Sequence, residues 1–157
     1  MDKLIFENIY EEHKASIFRL CRVLVYETAG AEDLFQEVII NIWKSLPNFK
    51  GKSQVKTWLY RITVNTSITF NAKYKRGQQN QEHYLKEMSQ ENTASNSLMD
   101  NVVQAISQLE HSDKAVIGLY LEGFSYKEIA QMLGLSQSNV GVKLNRIKLK
   151  LKNILNA

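Results

Sequence analysis

Turn-forming and cross-linking residues are scarce in this chain. Among 157 residues there are one proline (Pro47), seven glycines and one cysteine (Cys21). A β-sandwich needs many tight turns, so this scarcity favours helices. A lone cysteine excludes an internal disulfide framework and points to a reducing compartment. No apolar run approaches the roughly 18 residues of a membrane span, so no membrane insertion is expected. The start, Met1-Asp2-Lys3-Leu4, lacks a basic segment leading into an apolar stretch, so no secretory signal is expected and the cytosol is the expected location. Hydrophobic residues make up 44% and charged residues 23%, enough to bury cores and too little charge for a disordered chain.

Acids are missing from two long stretches. From Asn41 to Arg76 there are eight bases (Lys44, Lys50, Lys52, Lys56, Arg61, Lys73, Lys75, Arg76) and no acid. From Ile129 to Ala157 there are five (Lys143, Arg146, Lys148, Lys150, Lys152), again with no acid. Two separate basic stretches suit two contacts with a polyanion, because phosphate neutralisation supplies most non-specific affinity for nucleic acid. The plainer account is a pair of solvated lysine faces.

Large apolar side chains are nearly absent from 77–97, which cannot bury enough surface to offset the entropy of ordering. That stretch is expected to be a flexible linker between a domain over 1–76 and another over 98–157. In the first, Ile9, Ile17, Leu20, Cys21 and Leu24 share one helical face. Leu34, Val38, Ile42 and Leu46 form a second, broadened by Ile39 and Trp43. Val55, Leu59 and Ile62 follow, with Trp58 beside them. Pro47-Asn48-Phe49-Lys50-Gly51 interrupts the pattern as a loop. Three or four packed helices are expected.

The second domain opens with the stripe Leu98, Val102, Ile106 and Leu109. Ser112 is expected to cap a helix through Ala115, Val116, Leu119 and Tyr120 that Gly123 ends. Ser125-Tyr126-Lys127-Glu128 has the spacing of a capping box. Gly134 should close that short helix and Ser136 cap the next, which carries Val140, Leu144, Ile147, Leu151 and Leu155. A small residue, a reversing glycine and an apolar anchor at Ala130, Gly134 and Val140 have the spacing of a helix-turn-helix. The fold class expected is therefore all-α, two small helical domains with a helix-turn-helix in the second.

Candidate functional residues follow. Ser136, Gln137, Ser138 and Asn139 open the last helix and precede Lys143 and Arg146. Short polar groups there can meet base edges, while Lys and Ser hold phosphates. Trp58, Arg61 and Asn65, at steps of three and four, can line one helix side. Aromatics can stack on unpaired bases as Lys56, Lys73 and Arg76 follow the backbone. Trp58 and Tyr60 also fit a core. Glu32, Asp33, Gln36 and Glu37 precede an apolar helix, where they either complement its dipole or form a docking face.

Three motifs in order carry a resemblance. Ala31-Glu32-Asp33-Leu34-Phe35-Gln36-Glu37-Val38, Trp58-Leu59-Tyr60-Arg61-Ile62-Thr63-Val64-Asn65 and Gly123-Phe124-Ser125-Tyr126-Lys127-Glu128-Ile129-Ala130 resemble the extracytoplasmic-function (ECF) sigma factors of the sigma-70 type. The resemblance implies a non-enzymatic promoter-specificity subunit of bacterial RNA polymerase. By it, Asp33, Gln36 and Glu37 dock the β′ clamp helices, and the β flap is a second polymerase contact. Lys56, Trp58, Arg61, Asn65, Lys73 and Arg76 capture and melt the minus-ten element. The helix bearing Ser136, Gln137, Ser138, Asn139, Lys143 and Arg146 reads the minus-thirty-five duplex. An inhibitory anti-sigma factor is a further partner class, and no cofactor or metal is implied. Two departures stand out: Leu109-Glu110 replaces Leu-Pro, and Asn139-Val140-Gly141-Val142-Lys143 replaces the Thr and Lys-Ser usual near the recognition-helix start.

Two other classes compete. A stand-alone helix-turn-helix regulator would bind duplex DNA without polymerase. An enzyme would need a site, yet His13, His83 and His111 are dispersed, and neither a His-Glu-x-x-His pattern, a cysteine pair nor a Gly-x-x-x-x-Gly-Lys loop is present.

Overall fold

A computed structural model describes residues 2–80 and 98–156, with side chains over 2–73 and 100–156. The expected linker residues 81–97 and the Arg76 side chain lie outside the described residues. The helices are α1 (Asp2–Leu24), α2 (Thr28–Ser45), α3 (Val55–Asn80), α4 (Leu98–Ile106), α5 (His111–Leu121), α6 (Tyr126–Leu133) and α7 (Gln137–Leu155), with a 3-10 turn at Leu46–Asn48. No strand occurs among the described residues, in line with the scarcity of turn formers.

Helices α1, α2 and α3 pack mutually. Ile17, Leu20, Cys21 and Leu24 meet Leu34, Val38 and Ile42, all essentially inaccessible. Burial pushes the Cys21 thiol up to about 12, so it is a small apolar filler rather than a reactive thiolate. Trp43 departs from expectation: it is 46% exposed, on the outer side of α2, with the Phe6 ring near-perpendicular to it and the ring centres 5.2 Å apart. The buried stripe of α2 steps by four, and Trp43 lies too far round the helix to join it.

The core of α3 also differs. Leu59 is buried, whereas Val55 and Ile62 are only partly so. The burial runs instead through Tyr60, Thr63, Val64, Ser67 and Phe70. This helix packs on α1, α2 and α5, so it is covered on more than one side. Its buried hydroxyls are satisfied locally: Thr63 Oγ1 donates to the Leu59 carbonyl at 2.8 Å and Ser67 Oγ to that of Val64 at 2.6 Å. The α3 backbone stays helical through Asn80, past the expected boundary at 76.

In the second half, α6 begins on the expected capping box. Ser125 Oγ accepts from the Glu128 amide at 3.1 Å while the Ser125 amide donates to Glu128 Oε1 at 3.0 Å. That amide, with the Ser125 hydroxyl, holds the Glu128 carboxyl below its usual range. Gly134 ends the helix at φ 70°, in the left-handed region. Ser136 caps α7 through the Asn139 amide at 3.1 Å. Ser112 does not cap α5; the N-cap is Glu110, without a side-chain bond, and the helix has already begun at His111.

The halves were expected to be tethered modules, but they also share a packed seam. One continuous hydrophobic cluster includes buried residues from both. Gly118 of α5 lies so close to α1 that an added Cβ would fall 2.7 Å from Leu20 Cδ1. The ring of Phe124 meets that of Tyr60 edge-on at 5.2 Å. At the far end, Asn71 Nδ2 donates to His111 Nδ1 at 2.6 Å and His111 Nε2 stands 3.1 Å from Ser67 Oγ.

Candidate nucleic-acid interface

The acidic residues of α2 sit later in the helix than the dipole account requires. Helix α2 starts at Thr28 and has no acid in its first turn. Glu32, Asp33 and Gln36 are exposed and Glu37 is partly covered. Ile40, 51% exposed, and Trp43 continue the same outward face. Sequence reading missed these two apolar members. Their offsets of seven and ten from Asp33 were the available signal, because such positions return to one helical side.

Helix α3 brings Trp58, Arg61 and Asn65 to one side. Arg61 and Asn65 are exposed, and Trp58 is partly covered by Phe49, whose ring lies 4.6 Å from it at a 32° tilt. Lys73, two turns beyond Asn65, is also exposed. Such a face can stack a base and hold phosphates. Tyr60 is fully buried, and burial pushes its phenol up to about 12, with the negative Glu122 carboxylate adding to the shift. Lys56 is not on the open face with Arg61. Its Nζ donates to the Glu122 carbonyl at 2.9 Å and lies 5.2 Å from the centre of the Phe124 ring.

Helix α7 is seated by Val140, Leu144 and Ile147, all fully buried against the second half's core. That anchoring turns Gln137, Ser138 and Asn139 outward, and all are exposed together with Ser136. Gly141 of α7 faces Tyr126 of α6, and an added Cβ would meet Tyr126 Cε2 at 3.5 Å, an ordinary contact, so the approach of the two helices does not depend on glycine there.

Lys143 and Arg146 are less free than their sequence position suggests. Asp113 of α5 is 2% exposed, and its Oδ1 lies 3.7 Å from Lys143 Nζ and 3.8 Å from Arg146 Nη2. Sequence reading missed Asp113 because it comes from another helix, thirty residues before Lys143. Lys148 packs its ammonium 4.6 Å above the Tyr120 ring.

Comparison with known proteins bears on the family to which the chain belongs. The family model Sigma-70 region 2 matches residues 9–77, and Sigma-70 region 4 matches residues 99–151. The chain is 29% identical over 160 residues to the RNA polymerase sigma factor YlaC of Bacillus subtilis, spanning 93% of this chain and 89% of that one. It is 23% identical over 157 residues to the ECF RNA polymerase sigma factor SigM of Mycobacterium tuberculosis, spanning 98% and 79%. Its fold matches the Bartonella quintana sigma factor RpoE, solved in complex with the anti-sigma factor NepR. There the TM-score is 0.71 at 21% identity, covering 96% of this chain and 98% of that one. With both regions present in order along one all-helical chain, this protein belongs to the ECF group of the sigma-70 family.

Proposed function

We propose that the chain binds core RNA polymerase and directs it to promoters, with the work divided between its halves. The observation that carries this reading is the order of exposed faces along one chain. An acidic-apolar face on α2, an acid-free face on α3 and an outward helix start on α7 fall within the two matched sigma regions. Asp33, Gln36 and Glu37 dock the β′ clamp helices, and Ile40 and Trp43 supply the apolar part of that contact. Arg61, Asn65 and Trp58, with Lys56, Lys73 and Arg76, take the minus-ten strand. Ser136, Gln137, Ser138 and Asn139 meet base edges of the minus-thirty-five duplex, and Lys143 and Arg146 meet its phosphates. The second half contacts the β flap. The connection expected over 77–97 joins the two halves. An anti-sigma factor is a further partner, as it is for the structural relative from Bartonella quintana. Sigma factors as a class are regulatory rather than catalytic proteins.

Run-off transcription with core polymerase, with and without the chain, tests the reading. Transcripts from specific start sites should require the chain. Reversing charge at Asp33→Lys should weaken capture by core polymerase on the order of tenfold, because like charges then face each other across the contact. Unchanged capture removes α2 as the docking face.

A further inference from the structure

We propose that Arg19, Lys56 and Tyr60 form an oxyanion site for a DNA backbone phosphate, and that Glu122 occupies it while the two halves are closed. The proposal rests on reading Lys56 as a nucleic-acid contact. The geometry is that of a bound anion. Arg19 Nε donates to Glu122 Oε1 at 3.1 Å and its Nη2 to Oε2 at 3.3 Å, a two-pronged grip on one carboxylate. The Tyr60 hydroxyl donates to Oε2 at 3.2 Å, and Lys56 Nζ donates to the backbone carbonyl of the same residue at 2.9 Å. Three donor side chains of the first half thus converge on one residue of the second.

The Glu122 side chain is only 12% exposed, whereas that of Arg19 is 61% exposed, so the acid is inserted into a basic surface. It sits in the turn after α5, followed by Gly123 at φ 95°, which lets the chain fold back and bring Phe124 under Lys56. A second pair acts in the same sense, Arg22 Nη2 of α1 donating to Asp100 Oδ1 of α4 at 3.5 Å.

A phosphodiester presents two non-bridging oxygens with a spacing and charge close to those of a carboxylate, so the fork that holds Glu122 suits it equally. The Glu122 carboxylate and a DNA phosphate then compete for Arg19 and Tyr60, while the Glu122 backbone carbonyl holds Lys56 until the halves part. The apparent DNA affinity of the free chain is reduced by the fraction of molecules that are open. The contact is autoinhibitory: unpartnered chain keeps Lys56 from DNA until the halves part.

The test uses the full chain without polymerase, so its outcome is separate from that of the transcription experiment. Small-angle scattering should find the wild type compact, with a radius of gyration near the ~15 Å of a compact chain this long. Glu122→Gln keeps shape but removes charge, and should increase that radius with helicity by circular dichroism unchanged. It should tighten binding of a fluorescent dT20 oligonucleotide about tenfold, within the usual range of coupling between a conformational equilibrium and a ligand. Adding Arg19→Ala to Glu122→Gln should remove most of that gain. Glu7→Gln, an equal charge change on an exposed part of α1, should tighten binding little. The proposal is overturned if Glu122→Gln leaves radius and affinity at wild-type values. It is also overturned if Glu7→Gln tightens binding as much as Glu122→Gln, or if the double variant binds dT20 as well as Glu122→Gln alone.

Discussion

The two acid-free helices hold their charge in different ways. On α3, Arg61 stands exposed with no ion pair among the described residues, and Asn65 and Lys73 share its openness. On α7, Lys143 and Arg146 lean toward a buried carboxylate from α5, and the helix itself is fixed by three fully buried side chains. A free guanidinium keeps its rotamers and can follow a strand whose shape is not set beforehand. A tethered pair has lost part of that freedom in advance, which suits a duplex of fixed geometry. Under the proposed function, the first face catches an opened strand and the second reads a rigid one.

The largest expected effect tests the seating of α7. Leu144→Ala removes a fully buried side chain and should lower stability by about 2–5 kcal/mol. The shift would be read as the midpoint of urea unfolding. A loss below about 1 kcal/mol would mean α7 is not held by the second half's core, and the contrast with α3 would disappear.

The next effect is on function alone. Arg61→Ala should leave stability within about 0.5 kcal/mol of wild type, as for other exposed side chains. Promoter opening by the holoenzyme, followed by permanganate reactivity of unpaired thymines, should fall about tenfold, the scale of one lost strand contact. Normal opening would leave the α3 face without its assigned role.

The smallest effect sharpens the local side of the comparison. Ser125→Ala removes the capping bond to the Glu128 amide and should cost about 1 kcal/mol, seen as a lower thermal midpoint. Because α6 supports α7, the variant should also weaken duplex binding slightly while leaving single-strand binding by α3 untouched. Equal loss at both would show that the halves do not act separately.

Much of this was legible beforehand, and the divide is one of range. Ser125, Glu128, Gly134 and Ser136 act on backbone groups within about four residues, so sequence spacing alone identifies them. The stripes Ile17-Leu20-Cys21-Leu24 and Val140-Leu144-Ile147 are likewise set by the helical repeat. Ser112 failed as a cap because Ser, an equally good candidate by type, stands one residue inside a helix already begun at His111. Trp43 fits a core by residue type, but its angle on α2, one step past buried Ile42, carries it out of the buried stripe.

What the chain order alone determined, then, is the set of helices, their apolar faces and the punctuation between α5, α6 and α7. These depend on periodicity and on bonds to near neighbours. Tertiary structure decided that Lys143 and Arg146 share Asp113, that Trp43 stays outside, and that Glu122 enters a site 103 residues away at Arg19. Long-range electrostatic pairing needs two surfaces to meet, and no spacing along a single helix encodes which acid will face which base.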